Sequence, residues 1–260
     1  MRLTGLFMLC LFFLSACHEQ SSTNTLVVGT LAGPETELVE TAKEVARARY
    51  GLTIKIVEFN DYNLPNEALN DGSLDANVYQ HMPYLKAAIK AHGYALVPLG
   101  KTFLYPVGVY STRVKSITAL PKHALIALPN DPSNEARALR LLASAGLITL
   151  KESDIPSLHD LTSNPHDFQF KALDAAQLSR ILPDVDAAII NTTFALPAGL
   201  SPSRDALLLE DKQSPYANVI VVRRDSEKNK QLELFVLAFH SNEVKATAAR
   251  LFGDAAIAAW

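Results

Sequence analysis

Three clusters in this chain are more polar and more aromatic than their surroundings. They are Phe59-Asn60-Asp61-Tyr62 with the following Leu64–Leu69, Asp75–His81, and Pro129-Asn130-Asp131-Pro132-Ser133-Asn134. Each falls just after an apolar run that reads as a strand, where a cleft would lie in an α/β protein. Two shorter runs follow, Ile190-Asn191-Thr192-Thr193 and Ser214-Pro215-Tyr216-Ala217-Asn218. Their side chains allow specific chemistry. Arg137 lies one turn into a helix opened by Asp131-Pro132, and a planar guanidinium can take a carboxylate in two parallel hydrogen bonds. The N–H groups and dipole at that helix start favour the same negative group. The amides of Asn134, Asn191 and Asn218 can each donate and accept. Tyr62, Tyr79, Tyr84 and His81 offer apolar ring area with a polar tip. Each has a plainer alternative. Arg137 could sit on a solvated face, Asn191 and Asn218 could satisfy turn backbone, and Asn134 could help cap its helix. The tyrosines could pack in a core, and His81 could be a hydrogen-bonded histidine with no ligand.

Catalytic and metal patterns are missing. No G-x-S-x-G elbow and no H-E-x-x-H occurs, and the histidines are scattered at 18, 81, 92, 123, 159, 166 and 240. Only His81 falls in a suspected cleft segment, which argues against a metal carrier. The 24 basic and 27 acidic residues nearly balance, without a basic patch for nucleic acid. No catalytic residue, metal or cofactor is therefore expected.

The elements that must position these groups alternate along the chain. Thr25–Thr30 reads as a buried strand. From Glu35 the period changes to helical, with Leu38, Val39, Ala42, Val45 and Ala46 on one face and Gly51 as the stop. Thr53–Phe59 alternates as a strand, completing a βαβ unit. Further strands are read at 74–78, 103–110, 124–128, 168–173, 187–190 and 219–222. Helices are read at 65–70, 84–92, 134–145, 227–240 and 243–251. The fold class is α/β, in two lobes, each a mainly parallel sheet flanked by helices, with a cleft between them. Lobe 1 is expected over 25–106 plus 222–260, and lobe 2 over 107–221.

The beginning of the chain points outside the cytoplasm. Met1-Arg2 precedes an apolar stretch, Leu3–Leu14, shorter than the about 20 residues that span a bilayer. It has the form of a signal peptide, 1–16. Leu14-Ser15-Ala16-Cys17 resembles a bacterial lipobox, in which the cysteine is lipidated and becomes the first residue. Cys10 leaves with the signal peptide, so Cys17 would be the one thiol of the mature chain. Residues 17–24 read as a polar tether.

Taken together, the runs FNDY, LPNEAL, DANVYQH, PNDP, INTT and KQSPYAN resemble, in order and spacing, the NlpA lipoprotein family. Its members include methionine-binding subunits of bacterial ABC importers. The resemblance extends from about Thr25 to Trp260. It implies a hinged, two-lobed binding protein that is not an enzyme, with a free amino acid, L-methionine, between the lobes. Another small apolar amino acid or a methionine-containing dipeptide is the alternative. By the same resemblance Asn191 and Asn218 contact the ligand, Arg137 takes its carboxylate, and Tyr62, Tyr79, Tyr84 and His81 line the side-chain pocket. The partners implied are the membrane and ATPase subunits of an importer, and the membrane itself through Cys17. A monomer is expected.

The lipobox makes the anchor testable. Cys17→Ala should abolish fatty-acid labelling and detergent-phase partitioning; unchanged labelling in that variant would remove the lipid anchor.

Overall fold

The computed structural model describes residues 25–260. The expected signal peptide, the lipidation at Cys17 and the tether lie outside the described residues. The chain begins β1 (Thr25–Leu31), α1 (Pro34–Tyr50), β2 (Thr53–Phe59), α2 (Leu64–Asn70), β3 (Ala76–His81), α3 (Met82–His92) and β4 (Leu96–Lys101). Short β5 (Phe103–Leu104) and β6 (Gly108–Tyr110) lead to β7 (Leu125–Pro129) and α4 (Pro132–Ser144). Then come β8 (Thr149–Leu150), β9 (Leu161–Ser163), β10 (Gln169–Leu173), α5 (Leu178–Ile181), β11 (Ala187–Ile190), α6 (Thr192–Ala195), α7 (Pro202–Asp205) and β12 (Leu208–Leu209). The chain closes with β13 (Asn218–Arg223), α8 (Lys230–Phe239), α9 (Asn242–Phe252) and β14 (Ile257–Ala258).

Two five-stranded sheets organise these elements, ordered β2-β1-β3-β13-β4 and β10-β7-β11-β6-β12. They share one plan. In the first, β2-β1 and β1-β3 are parallel, whereas β3-β13 and β13-β4 are antiparallel. In the second, β10-β7 and β7-β11 are parallel, whereas β11-β6 and β6-β12 are antiparallel. The sheets are thus mixed rather than mainly parallel. The antiparallel member of each arrives from the other lobe and so enters in the opposite direction.

Both faces of each sheet are covered. In β13, Ile220 and Val222 join the core under α1 and α8, while Val219 and Val221 join the core with Leu69, Leu85 and Leu96. In β11, Ala187 and Ile189 face one core, Ala188 and Ile190 the other. This is the period-two alternation of a strand buried on both sides. Helix α1 buries the predicted stripe and ends at Gly51, whose φ of 63° lets its N–H donate to the Arg47 carbonyl and the Leu52 N–H to the Ala46 carbonyl.

The chain crosses between lobes twice, through Tyr105–Val107 and again between β12 and β13. The second crossing corrects the expected boundary at 221/222. β13 pairs with β3 and β4 along its length, so residues 218–221 belong to the first lobe's sheet. β4 was not foreseen: Pro98 and Gly100 break its pattern, and it is an edge strand, where proline is tolerated. The expected strand 103–110 is split into β5 and β6 around Pro106, where the chain leaves the first lobe.

Candidate functional site

The C-terminal end of β3 faces the N-terminal end of α4 across the gap between the lobes. A small cavity lies there. All eight residues singled out from the sequence border it: Tyr62, Tyr79, His81, Tyr84, Asn134, Arg137, Asn191 and Asn218. Gln80, Tyr105, Thr192 and Thr193 complete the wall.

One wall is aromatic. The Tyr79 and Tyr84 hydroxyls both donate to the Tyr62 carbonyl, at 3.2 and 2.8 Å. Their polar tips are thereby satisfied, and the three rings cluster with centroids 5.7–5.9 Å apart. From the second lobe, Phe194 meets Tyr62 at 5.0 Å. Burial raises the pKa of the Tyr62 and Tyr79 hydroxyls well above their ordinary value, so this wall is uncharged at neutral pH.

Opposite it, α4 opens as the sequence predicts. Asp131 caps the helix by accepting from the Asn134 N–H at 3.0 Å, with Pro132 following. Its carboxylate also holds the Asn134 side-chain amide, whose Nδ2 donates at 3.1 and 2.9 Å. That fixes Asn134 Oδ1 toward the first lobe and toward Asn191, whose Nδ2 donates to it at 2.9 Å. His81 Nδ1 accepts from the Tyr84 N–H at 3.1 Å and caps α3. Nε2 therefore carries the proton and donates to Asn134 Oδ1 at 3.2 Å, across the gap. Burial, then the Arg137 charge, pushes His81 down to about 3, so it is neutral at physiological pH.

Arg137 differs from its expected role in one respect. Its Nε donates to Glu210 Oε1 at 2.8 Å, and its Nη2 donates to Glu210 Oε2 and, at 2.9 Å, to the Tyr105 carbonyl. The two-bond edge of the guanidinium is thus taken by Glu210. Nη1 makes no hydrogen bond among the described residues. The Tyr216 ring stacks on the guanidinium at 4.4 Å. Asn218 donates to the Tyr79 carbonyl at 3.1 Å and approaches Glu35 Oε1 at 3.4 Å. Two buried acceptors beside the cavity, Asn191 Oδ1 and Glu35 Oε2, lack a hydrogen-bond partner.

The sequence pattern of the NlpA lipoprotein family matches residues 26–260. The chain belongs to that family. It is 43% identical over 252 residues to the D-methionine-binding lipoprotein MetQ of Salmonella typhi, covering 95% of this chain and 93% of the relative. Its fold matches a periplasmic substrate-binding protein of an ABC transporter from Coxiella burnetii, with a TM-score of 0.87 and 56% identity over 90% of this chain and all of that one. It also matches a nutrient-binding protein from Burkholderia cenocepacia bound to methionine, with a TM-score of 0.89 and 45% identity over 90% of this chain and all of that one. The two-lobed architecture is that of periplasmic binding proteins. Among the described residues no helix is long and apolar enough to cross a membrane, and no group of side chains is arranged for a metal ion.

For a member of the NlpA family, two acids of this site were not legible in the sequence. Glu35 follows Pro34 in the first turn of α1, where an acid ordinarily complements the helix dipole in solvent; here it is 4% exposed. Glu210 follows a run of leucines with no motif around it, and its position comes from the second crossing.

The Arg137–Glu210 pair is almost wholly buried. Glu210→Ala should lower stability by about 3–5 kcal/mol, because it strands a buried guanidinium. Arg137→Met combined with Glu210→Leu should recover most of that. Denaturant unfolding checks both, and a loss under about 1 kcal/mol for Glu210→Ala would mean that Arg137 has adequate support without it.

Proposed function

We propose that this protein is an extracytoplasmic binding protein that holds L-methionine between its lobes and delivers it to the membrane and ATPase subunits of an ABC importer. The observation that carries this reading is the composition of the inter-lobe cavity. The Arg137 guanidinium, the unpartnered Asn191 Oδ1 and a wall of tyrosine rings stand around a space suited to one small zwitterion. The carboxylate would meet Arg137 Nη1, the ammonium would meet Asn191 Oδ1, and the thioether would lie against Tyr62, Tyr79 and Tyr84. Sulfur–aromatic contacts contribute about 0.3–1.5 kcal/mol each, and burial of the side chain about 1.5–3 kcal/mol. The methionine in the Burkholderia relative and the name of the Salmonella relative support this choice of ligand.

A free amino acid suits the cavity better than a methionine-containing dipeptide. The room between the facing walls is small, which leaves little space for a second residue. The protein would work as a monomer, cleaved after residue 16 and tethered to the outer face of a membrane by lipid on Cys17. It would release methionine chemically unchanged, in keeping with relatives named as substrate-binding and nutrient-binding proteins.

Calorimetric titration of a ligand-stripped preparation tests the site. Asn218→Ala removes a side chain from the wall and should weaken L-methionine binding by about 1.5–3 kcal/mol, roughly tenfold to over a hundredfold. Arg137→Ala should weaken it at least as much, but it also strands Glu210, so its thermal melt must be read alongside. Affinity within a factor of two of wild type for Asn218→Ala would take that residue out of the site. D-methionine, glycine and glycyl-methionine in the same titration define the ligand class.

A further inference from the structure

Glu35 is the one acid of this neighbourhood that the reading so far leaves without work. It stands in the first turn of α1, in lobe 1, and is 4% exposed. Its Oε1 accepts from Thr193 Oγ1 of the second lobe at 3.1 Å and lies 3.4 Å from Asn218 Nδ2. Both of those residues line the cavity. Its Oε2 is buried and has no partner.

The charges around it do not compensate a carboxylate. Arg137, the cation of the site, is committed to Glu210. Asp131, at the start of α4, is an acid and holds Asn134. His81 on β3 is neutral. Tyr62 from the loop after β2 and Tyr105 from the outgoing crossing both feel the Glu35 charge, and both are held in the protonated form by burial. Burial pushes the Glu35 carboxyl up to about 8, against only the weak opposing effect of the Thr193 hydrogen bond. Without a counter-ion, then, Glu35 is mostly a neutral acid at pH 7.

The missing charge is the one that an amino acid carries. An α-ammonium group has three N–H donors and one positive charge. Two buried oxygens without a partner stand in this neighbourhood: Asn191 Oδ1, on a residue that lines the cavity, and Glu35 Oε2, on a residue hydrogen-bonded to the lining residues Thr193 and Asn218. We propose that Glu35 completes the ligand site as the anionic partner of the ligand's α-ammonium group, and that it becomes charged only when that group arrives. This rests on the reading of the cavity as an amino-acid site. The step balances simply. The Glu35 carboxyl gives its O–H proton to solvent, the carboxylate pairs with the ammonium, and no covalent bond forms in the ligand.

Two consequences separate this role from a merely structural one. Binding expels close to one proton per ligand near neutral pH, because a group that is mostly protonated becomes ionised. Affinity also falls as pH falls, by up to about tenfold for each unit below about 8, because the acid form must first be deprotonated. Glu35→Gln keeps the shape and the Thr193 contact but has no charge to gain.

The experiment is calorimetric titration of L-methionine into ligand-stripped protein, in two buffers of different ionisation enthalpy and at two pH values, about 6 and about 8. Wild type should release nearly one proton at neutral pH and bind more tightly at the higher pH. Glu35→Gln should bind more weakly, release almost no proton and lose the pH dependence. Methylthiobutanoate, the analogue of methionine without the amino group, should bind wild type without proton release. Methionine binding by wild type with no proton release and no pH dependence overturns the role of Glu35, whether or not the variant folds. Equal affinity and proton release in a folded Glu35→Gln overturns it as well. No heat with methionine at any pH overturns the amino-acid reading, and the role of Glu35 falls with it.

Discussion

The architecture turns on one buried ion pair. Arg137, on the first turns of α4, reaches out of the second lobe to both segments that cross between the lobes. It donates to the Tyr105 carbonyl on the outgoing crossing and to Glu210 on the returning one. Glu210 in turn pairs by backbone with Val107, donating to its carbonyl at 3.0 Å, and its Oε2 accepts from the Val107 N–H at 3.3 Å. A guanidinium buried this deeply is tolerable only because its donors are used. The pair therefore ties the two crossings together, and it holds in place the guanidinium of a residue that lines the cavity. Pre-positioning of that kind reduces the ordering cost of binding an anion.

Several contacts between the lobes are polar, and Leu196 of the second lobe adds an apolar one on the first lobe's core. Thr193 to Glu35, His81 to Asn134 and Asn63 to Asp174 are hydrogen bonds across the gap, and Tyr62 on Phe194 is an aromatic contact across it. A neutral hydrogen bond adds only about 0.5–1.5 kcal/mol net, whereas a buried polar atom without a partner costs about 1–3 kcal/mol. Glu35 Oε2 and Asn191 Oδ1 are two such atoms. The closed arrangement thus gains further when a donor-bearing ligand enters and partners these atoms. A ligand that touches both lobes shifts the equilibrium toward the closed form by its differential affinity. The family's two-lobed plan, with two thin crossings, is suited to that behaviour.

Much of this was legible in the sequence because it depends on local rules. The stripe of α1 and its Gly51 stop, the Asp131-Pro132 opening of α4 and the apolar runs at β7, β11 and β13 all read directly. The site residues read through their motifs, and the structure brings all eight to one cavity. What did not read depends on long-range placement. β3 runs to His81 rather than ending near Val78, because burial on both sides carries polar Gln80 and His81 into the sheet. Glu35 looked like an ordinary first-turn acid, and nothing local shows that the second lobe covers it. The bidentate edge of Arg137 was assigned to a ligand carboxylate, since an acid 73 residues away gives no local sign that it occupies that edge.

Binding of one small amino acid is expected to draw the two lobes together over this cavity. Small-angle scattering of ligand-stripped protein, with and without L-methionine, measures it most directly. L-Methionine should give a smaller radius of gyration, and aspartate should change it little. An unchanged radius at saturating L-methionine, with binding verified in the same sample, would contradict it.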